Sequence, residues 1–177
     1  MPLSLRKLTR QPRTAEELDS LYVELKEVED RAAAILGAIF VEDALEEAIV
    51  SKMAPLNERE RRELFDGDAP LATFSAKIRI GYAIKIYQAR MRNDLAHIKN
   101  IRNAFAHARK PIKFVTPAVA HICSQLVILR DLDASIFDLP ADRVWPPNEP
   151  RDQYVTTCNV LELSLRLEAP NEKARPA

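Results

Sequence analysis

Three glycines in 177 residues are too few to supply the tight turns of an all-β protein or the phosphate loop of a dinucleotide-binding sheet. Ala, Leu, Ile, Glu, Lys and Arg fill the chain instead, and these residues enter a helix at little cost in side-chain freedom. An all-α, single-domain multi-helix bundle follows. A chain of this length buries roughly two thirds of its unfolded surface, so a core forms without metal or disulfide support. Cys123 and Cys158 stand in no Cys-x-x-Cys or Cys/His cluster and are expected as reduced core thiols, with no metal site and no cofactor.

Lys plus Arg balance Asp plus Glu at 26 each, which leaves no global positive field to drive direct DNA binding. The N-terminus carries Arg6, Lys7, Arg10 and Arg13, but no apolar stretch follows, and no run approaches the ~20 apolar residues of a membrane span. A cytoplasmic protein is expected.

Residues 1–13, basic and interrupted by Pro2 and Pro12, read as a flexible arm, 14–168 as the helical domain and 169–177 as a tail. Thr14 and Glu17 form a capping box, from which Leu21, Leu25, Val28, Ala32, Ile35 and Ile39 lay one apolar stripe along a helix to about Met53. The stripe suits either intramolecular packing or the seam of a homodimer; the small Ala32 and Gly37 favour the former. Farther along it stand Glu42 and Glu46, two inward carboxylates that need a partner.

Asn57 and Glu60 cap a short charged helix, and a further helix is expected from Thr73 or Ser75 to about Ala89, with Phe74, Ile78, Ile80, Ile84 and Tyr87 mostly inward. Ser75 is expected chiefly as a cap, with Lys77 and the free amides beside it as a weaker candidate anion site. Ala118 to Leu132 carries the spacing of a buried-face helix, with His121 as a core or boundary residue. A long Pro-rich loop at 133–150, containing Trp145, precedes the last element. There Leu161, Leu163, Leu165 and Leu167 alternate as in a strand, while Tyr154, Cys158, Leu161 and Leu165 make a helical face; with no partner strand in the sequence, helix is expected.

The stretch Asp94 to His107 combines a hydrophobic helix face with the densest polar cluster in the chain. At about 100° per residue, Leu95, Ile98, Ile101, Phe105 and Ala108 share one arc, and Arg102 falls inside it. A buried guanidinium needs a counter-charge, so a structural ion pair of Arg102 with Glu46 or Glu42 is expected. Asn100, Asn103 and His107 lie on the opposite, polar edge as candidate binding residues, with His107 about 140° around the helix from Arg102.

Leu64-Phe65, Pro70-Leu-Ala-Thr-Phe-Ser-Ala-Lys-Ile78, and Asp94-Leu95 running into Ile98-Lys-Asn-Ile-Arg-Asn-Ala-Phe-Ala-His107 resemble the mannitol operon repressor family of bacterial proteins. The resemblance covers residues about 20 to 168. It implies an all-α bundle and a cytoplasmic, non-enzymatic regulator associated with repression of sugar-alcohol uptake operons. No short helix pair here has the basic, exposed second helix of a helix-turn-helix, so such a repressor is expected to act through a protein partner. The spacing Arg102-x4-His107 also resembles the motif of the HEPN superfamily of small helical nucleotide-binding proteins and ribonucleases. In that family's ribonucleases the arginine steadies a phosphate and the histidine exchanges protons without metal, commonly across a dimer. Carried over, Arg102 would hold the phosphate, Asn103 would assist and His107 would act as acid and base.

Overall fold

The computed structural model describes residues 22–132 and 144–169, which contain helices and no strand. The expected basic arm, the Thr14–Glu17 cap and residues 170–177 lie outside them. After a helical stretch at 22–27 come α1 (Asp30–Ser51), α2 (Glu58–Phe65), α3 (Phe74–Ala83), α4 (Ala89–His107), α5 (Pro117–Cys123), a 3-10 turn (Ile128–Asp131) and α6 (Pro150–Glu168). Helix α1 is the axis of the bundle, packed chiefly against α6, α4 and α3.

Small residues let α6 approach α1 closely. Ala33, Ala34, Ala38, Ala44 and Ala48 are buried, and a Cβ on Gly37 would lie 3.3 Å from Cys158 Sγ and 3.4 Å from Tyr154 Cε1. The Tyr154 hydroxyl donates to the Ala34 carbonyl at 2.7 Å, joining the two helices inside the core. The helical face expected for α6 is the one observed: Tyr154, Cys158, Leu161 and Leu165 are fully buried.

The single long helix expected from Thr14 to Met53 is broken at Val28 and Glu29. Arg151, in the first turn of α6, holds the break. Its guanidinium donates to the carbonyls of Leu25 and Lys26, both at 3.1 Å, and of Val28, and it pairs with Asp30 at 2.7 Å. Asp30 in turn accepts the Phe114 amide at 2.9 Å. The restart at Asp30 shifts the register: Ala32, Ile35 and Ile39 are half-buried, while the residues beside them, Ala33, Ala34, Ala38 and Phe40, fill the core.

The Asn57 and Glu60 capping box of α2 forms as expected, and of the two candidates for the cap of α3 it is Thr73 that accepts the Ala76 amide, with Ser75 already inside the helix rather than the cap. Helix α3 ends earlier than its pattern suggests, at Ala83, in a turn where Lys85 has a φ of 60°. That turn leaves Ile84 exposed and swings Tyr87 back beneath α3, where its hydroxyl donates to the Ile78 carbonyl at 2.6 Å. Gly81 makes room for the Tyr87 ring. A Cβ there would sit 2.9 Å from Tyr87 Cε1 and 3.1 Å from Leu45 Cδ1. Gly81→Ala is expected to destabilise the fold by about 1–3 kcal/mol, despite alanine's better helix propensity, because the ring must move. Thermal melting followed by circular dichroism checks this; an unchanged or higher midpoint would show that the ring yields freely.

Candidate functional site

Helix α4 is built as its apolar arc requires. Leu95, Ile98, Ile101 and Phe105 are fully buried, and Ala108, just past the helix end, is half-buried. The helix stops at His107 because Pro111 and the extended Ala108 cannot continue it. The chain then turns back over the bundle, where Phe114 packs between Phe105 and Tyr154 with ring centroids 5.0 and 5.1 Å apart. Arg31 of α1 donates to the Ala108 carbonyl at 3.2 Å, an orphan acceptor at the helix end.

The expected ion pair of Arg102 with Glu46 or Glu42 does not form. Lys77 occupies that place, with its ammonium 3.0 Å from Glu42 and 2.9 Å from Glu46, and Arg61 of α2 reaches Glu46 at 2.9 Å. The reason is positional: α3 covers the Glu42–Glu46 stretch of α1, and Lys77 lies on its buried face with Phe74, Ile78 and Gly81. Reading Lys77 beside Ser75 as a candidate anion site missed this role. The signal was present in two inward carboxylates wanting a cation and in a lysine on an otherwise apolar helical face. Burial alone would raise the Glu46 carboxyl, but Lys77 and Arg61 outweigh it and hold it below its ordinary value. Burial likewise opposes the charge on Lys77, and the two glutamates overcome it, so its ammonium is held above its ordinary value.

Arg102 is half-buried and turned along its own helix, donating to Asn103 Oδ1 at 3.1 Å. The guanidinium thus lies beside the polar edge. Asn103 is half-buried, and Asn100 and His107 are exposed. No hydrogen bond to the His107 ring occurs among the described residues, so nothing there fixes its tautomer as an oriented base would require. The arrangement offers an amide-rich edge flanked by a cation, suited to anionic or hydrogen-bonding groups.

Asp94, at the head of the same motif, is a structural acceptor. It is fully buried and accepts from the Val127 amide at 3.1 and 3.2 Å and from the Ile128 amide at 2.7 Å. These bonds split the helix expected from Ala118 to Leu132 into α5 and the 3-10 turn, with Leu126 and Leu129 still buried. Burial pushes the Asp94 carboxyl up, more than the two amides pull it down.

A second polar set missed by sequence reasoning joins the helical stretch at 22–27 and α1 to α6. Tyr22 donates to Glu162 at 2.8 Å, and Arg166 bridges Glu162 at 3.0 Å and Glu47 at 2.9 Å. Both cysteines are free and buried, and burial pushes the Cys123 thiol up to about 12, so it is protonated and unreactive near neutrality. Among the described residues no group of three or more His, Cys, Asp or Glu could hold a metal ion, and no helix is long and apolar enough to cross a membrane. Most of the Pro-rich loop lies outside the described residues, but its Trp145 donates to the Leu132 carbonyl at 3.1 Å.

No protein-family model matches the chain, and no curated protein matches it in sequence. A chain in the X-ray structure of the MtlR-HPr complex from Escherichia coli is similar in fold, with a TM-score of 0.62 at 14% sequence identity, over 84% of this chain and 98% of that one. At that identity the likeness shows an MtlR-like fold.

Proposed function

We propose that the protein is a transcriptional regulator of the mannitol-repressor type, a cytoplasmic homodimer that acts by binding a protein partner and has no DNA-binding motif of its own. The observation that carries this reading is the MtlR-like fold, found in a complex whose other component is HPr. Support comes also from a polar edge of Asn100, Asn103 and His107 that carries hydrogen-bonding groups, as protein interfaces do. Isothermal titration of the full chain with purified HPr tests the proposal. Binding is expected, and its weakening by His107→Ala would place the contact on α4; absence of heat at any concentration up to the millimolar range would overturn the choice of partner.

A ribonuclease reading of HEPN type has one observation in its favour. The bond from Arg102 to Asn103 brings the guanidinium round toward the edge that carries His107, rather than into the core. Incubation with mixed RNA, beside a His107→Ala control, separates the two readings. Under the regulator proposal neither protein cleaves; cleavage by the wild type that the variant lacks would replace it.

A further inference from the structure

The even balance of 26 positive and 26 negative side chains hides an uneven distribution. Between Asp94 and Asp131 the chain contains no Asp or Glu, yet it carries Lys99, Arg102, Arg109, Lys110, Lys113 and Arg130 together with all three histidines. Asp94 is buried against amides and interacts electrostatically within this stretch with His97 and Arg130, and Asp131 is engaged by Arg90, so the cations at 109–113 keep their charge. Elsewhere, cations are drawn into pairs such as Arg59 with Glu63, Arg61 with Glu46, Arg151 with Asp30 and Arg166 with Glu47. Among the described residues, no ion pair includes a cation from this stretch.

The unpaired charges sit on fixed backbone. Arg109, Lys110 and Lys113 are exposed on the connection from α4 to α5, which Phe114 anchors by burying its ring and giving its amide to Asp30. The Lys113 amide donates to Thr116 Oγ1 at 2.9 Å, and Arg31 reaches in from α1 to Ala108. Beside Lys113, Val115 is 65% exposed, an apolar knob among cations.

We infer that the polar edge of α4 and the connection at 108–115 form a docking surface for an acidic protein surface. The inference rests on the partner-binding reading above and states the chemistry of the partner. A second copy of the chain does not fit, since the same face would bring cation against cation. A protein suits the face better than nucleic acid for two reasons: Val115 offers an apolar contact that phosphates do not use, and no aromatic side chain stands exposed on this connection to stack on bases. An acidic patch would gain from every one of the three exposed cations. Its attraction would weaken with salt, because these charges lie in solvent.

Fluorescence anisotropy of the full chain tests this, with a labelled peptide of Glu-Glu-Leu repeats and a labelled oligouridine of equal charge as probes. The peptide is expected to bind in a salt-sensitive way, and the triple variant Arg109→Glu, Lys110→Glu, Lys113→Glu to lose tenfold or more. Val115→Asp is expected to weaken binding as well, whereas Arg62→Glu on α2 leaves it unchanged. All five positions are exposed, so circular dichroism should report intact helices. Equal loss with Arg62→Glu, or tighter binding of the RNA than of the peptide, would overturn the inference. If HPr binds the wild type and the triple variant alike, the protein-partner reading stands and this surface falls; if HPr does not bind but the acidic peptide does, the surface stands and that choice of partner falls.

Discussion

Lys77→Met is expected to lower the stability of the fold by about 3–5 kcal/mol, the usual cost of removing one side of a buried ion pair. For a chain of this size, that corresponds to a fall in melting midpoint of roughly 6–20 °C. The methionine keeps an unbranched stem of similar length, so packing at this buried position changes little. What is lost is the ammonium between Glu42 and Glu46, whose side chains are only 16% and 13% exposed. Arg61 still holds Glu46, which leaves Glu42 as the uncompensated charge. Adding Glu42→Gln to the methionine variant should therefore recover part of the loss. A midpoint within 2 °C of wild type for the single variant, by the conversion of roughly 2–4 °C per kcal/mol, would show that the network contributes little.

The same network sets a pH signature. Because the native Glu46 carboxyl is held below its ordinary value of 4.5, the unfolded state binds more protons in the interval between the two. Its contribution is present in full above that value and is lost as pH falls through the native one. The stability difference between wild type and Glu46→Gln should be constant near neutrality and shrink in acid. Lys77, held above its ordinary 10.5, gives the mirror image, with a contribution lost as pH rises past its native value.

Asp94→Ala is expected to be nearly as damaging, by a different route. Removing the carboxylate orphans the Val127 and Ile128 amides, at about 1–3 kcal/mol for each buried donor left without an acceptor. Hydrogen exchange separates this mechanism from general loosening: the amides of Val127 and Ile128 should lose protection first, while those of α1 retain it. Asp94 also opposes Glu46 in its pH dependence. Its carboxyl is raised from 3.8, so the native state binds more protons above that value, and stability falls as pH rises through the interval.

These two side chains mark where the sequence was legible and where it was not. The inward arcs of α4 and α6 could be read from spacing alone, because Leu95, Ile98, Ile101 and Phe105, or Tyr154, Cys158, Leu161 and Leu165, keep one helical phase to the end. The local cap at Asn57 was legible for a related reason, since it is decided within four residues, whereas at α3 the sequence left Thr73 and Ser75 open and Thr73 takes the cap. Long-range polar partners were not. Arg151 breaks a helix at residues more than a hundred positions earlier, and Asp94 divides one by taking its amides from across the bundle; periodicity carries no trace of either. The need of Glu42 and Glu46 for an inward cation was visible, but choosing between Arg102 and Lys77 required knowing which helix lies over them. At the candidate site, the exposed edge of Asn100 and His107 followed from the wheel, whereas the turn of Arg102 onto Asn103 depends on a side-chain torsion that spacing does not encode.

The contacts of Arg151 and Tyr22 also bear on how the chain reaches its fold. Both tie residues near 22–30 to residues beyond 150, and α1 spends most of its buried face on α6. A nascent chain emerging from the ribosome would have α1 available early but its principal cover only after residue 150. Until Pro150 to Glu168 has been made, Ala34 and Gly37 lack the Tyr154 and Cys158 side chains that pack on them, so cooperative folding waits for that segment. A ribosome-bound chain stalled before residue 150 should remain sensitive to protease along α1, and one extended until residues 150–168 have left the ribosome should be resistant.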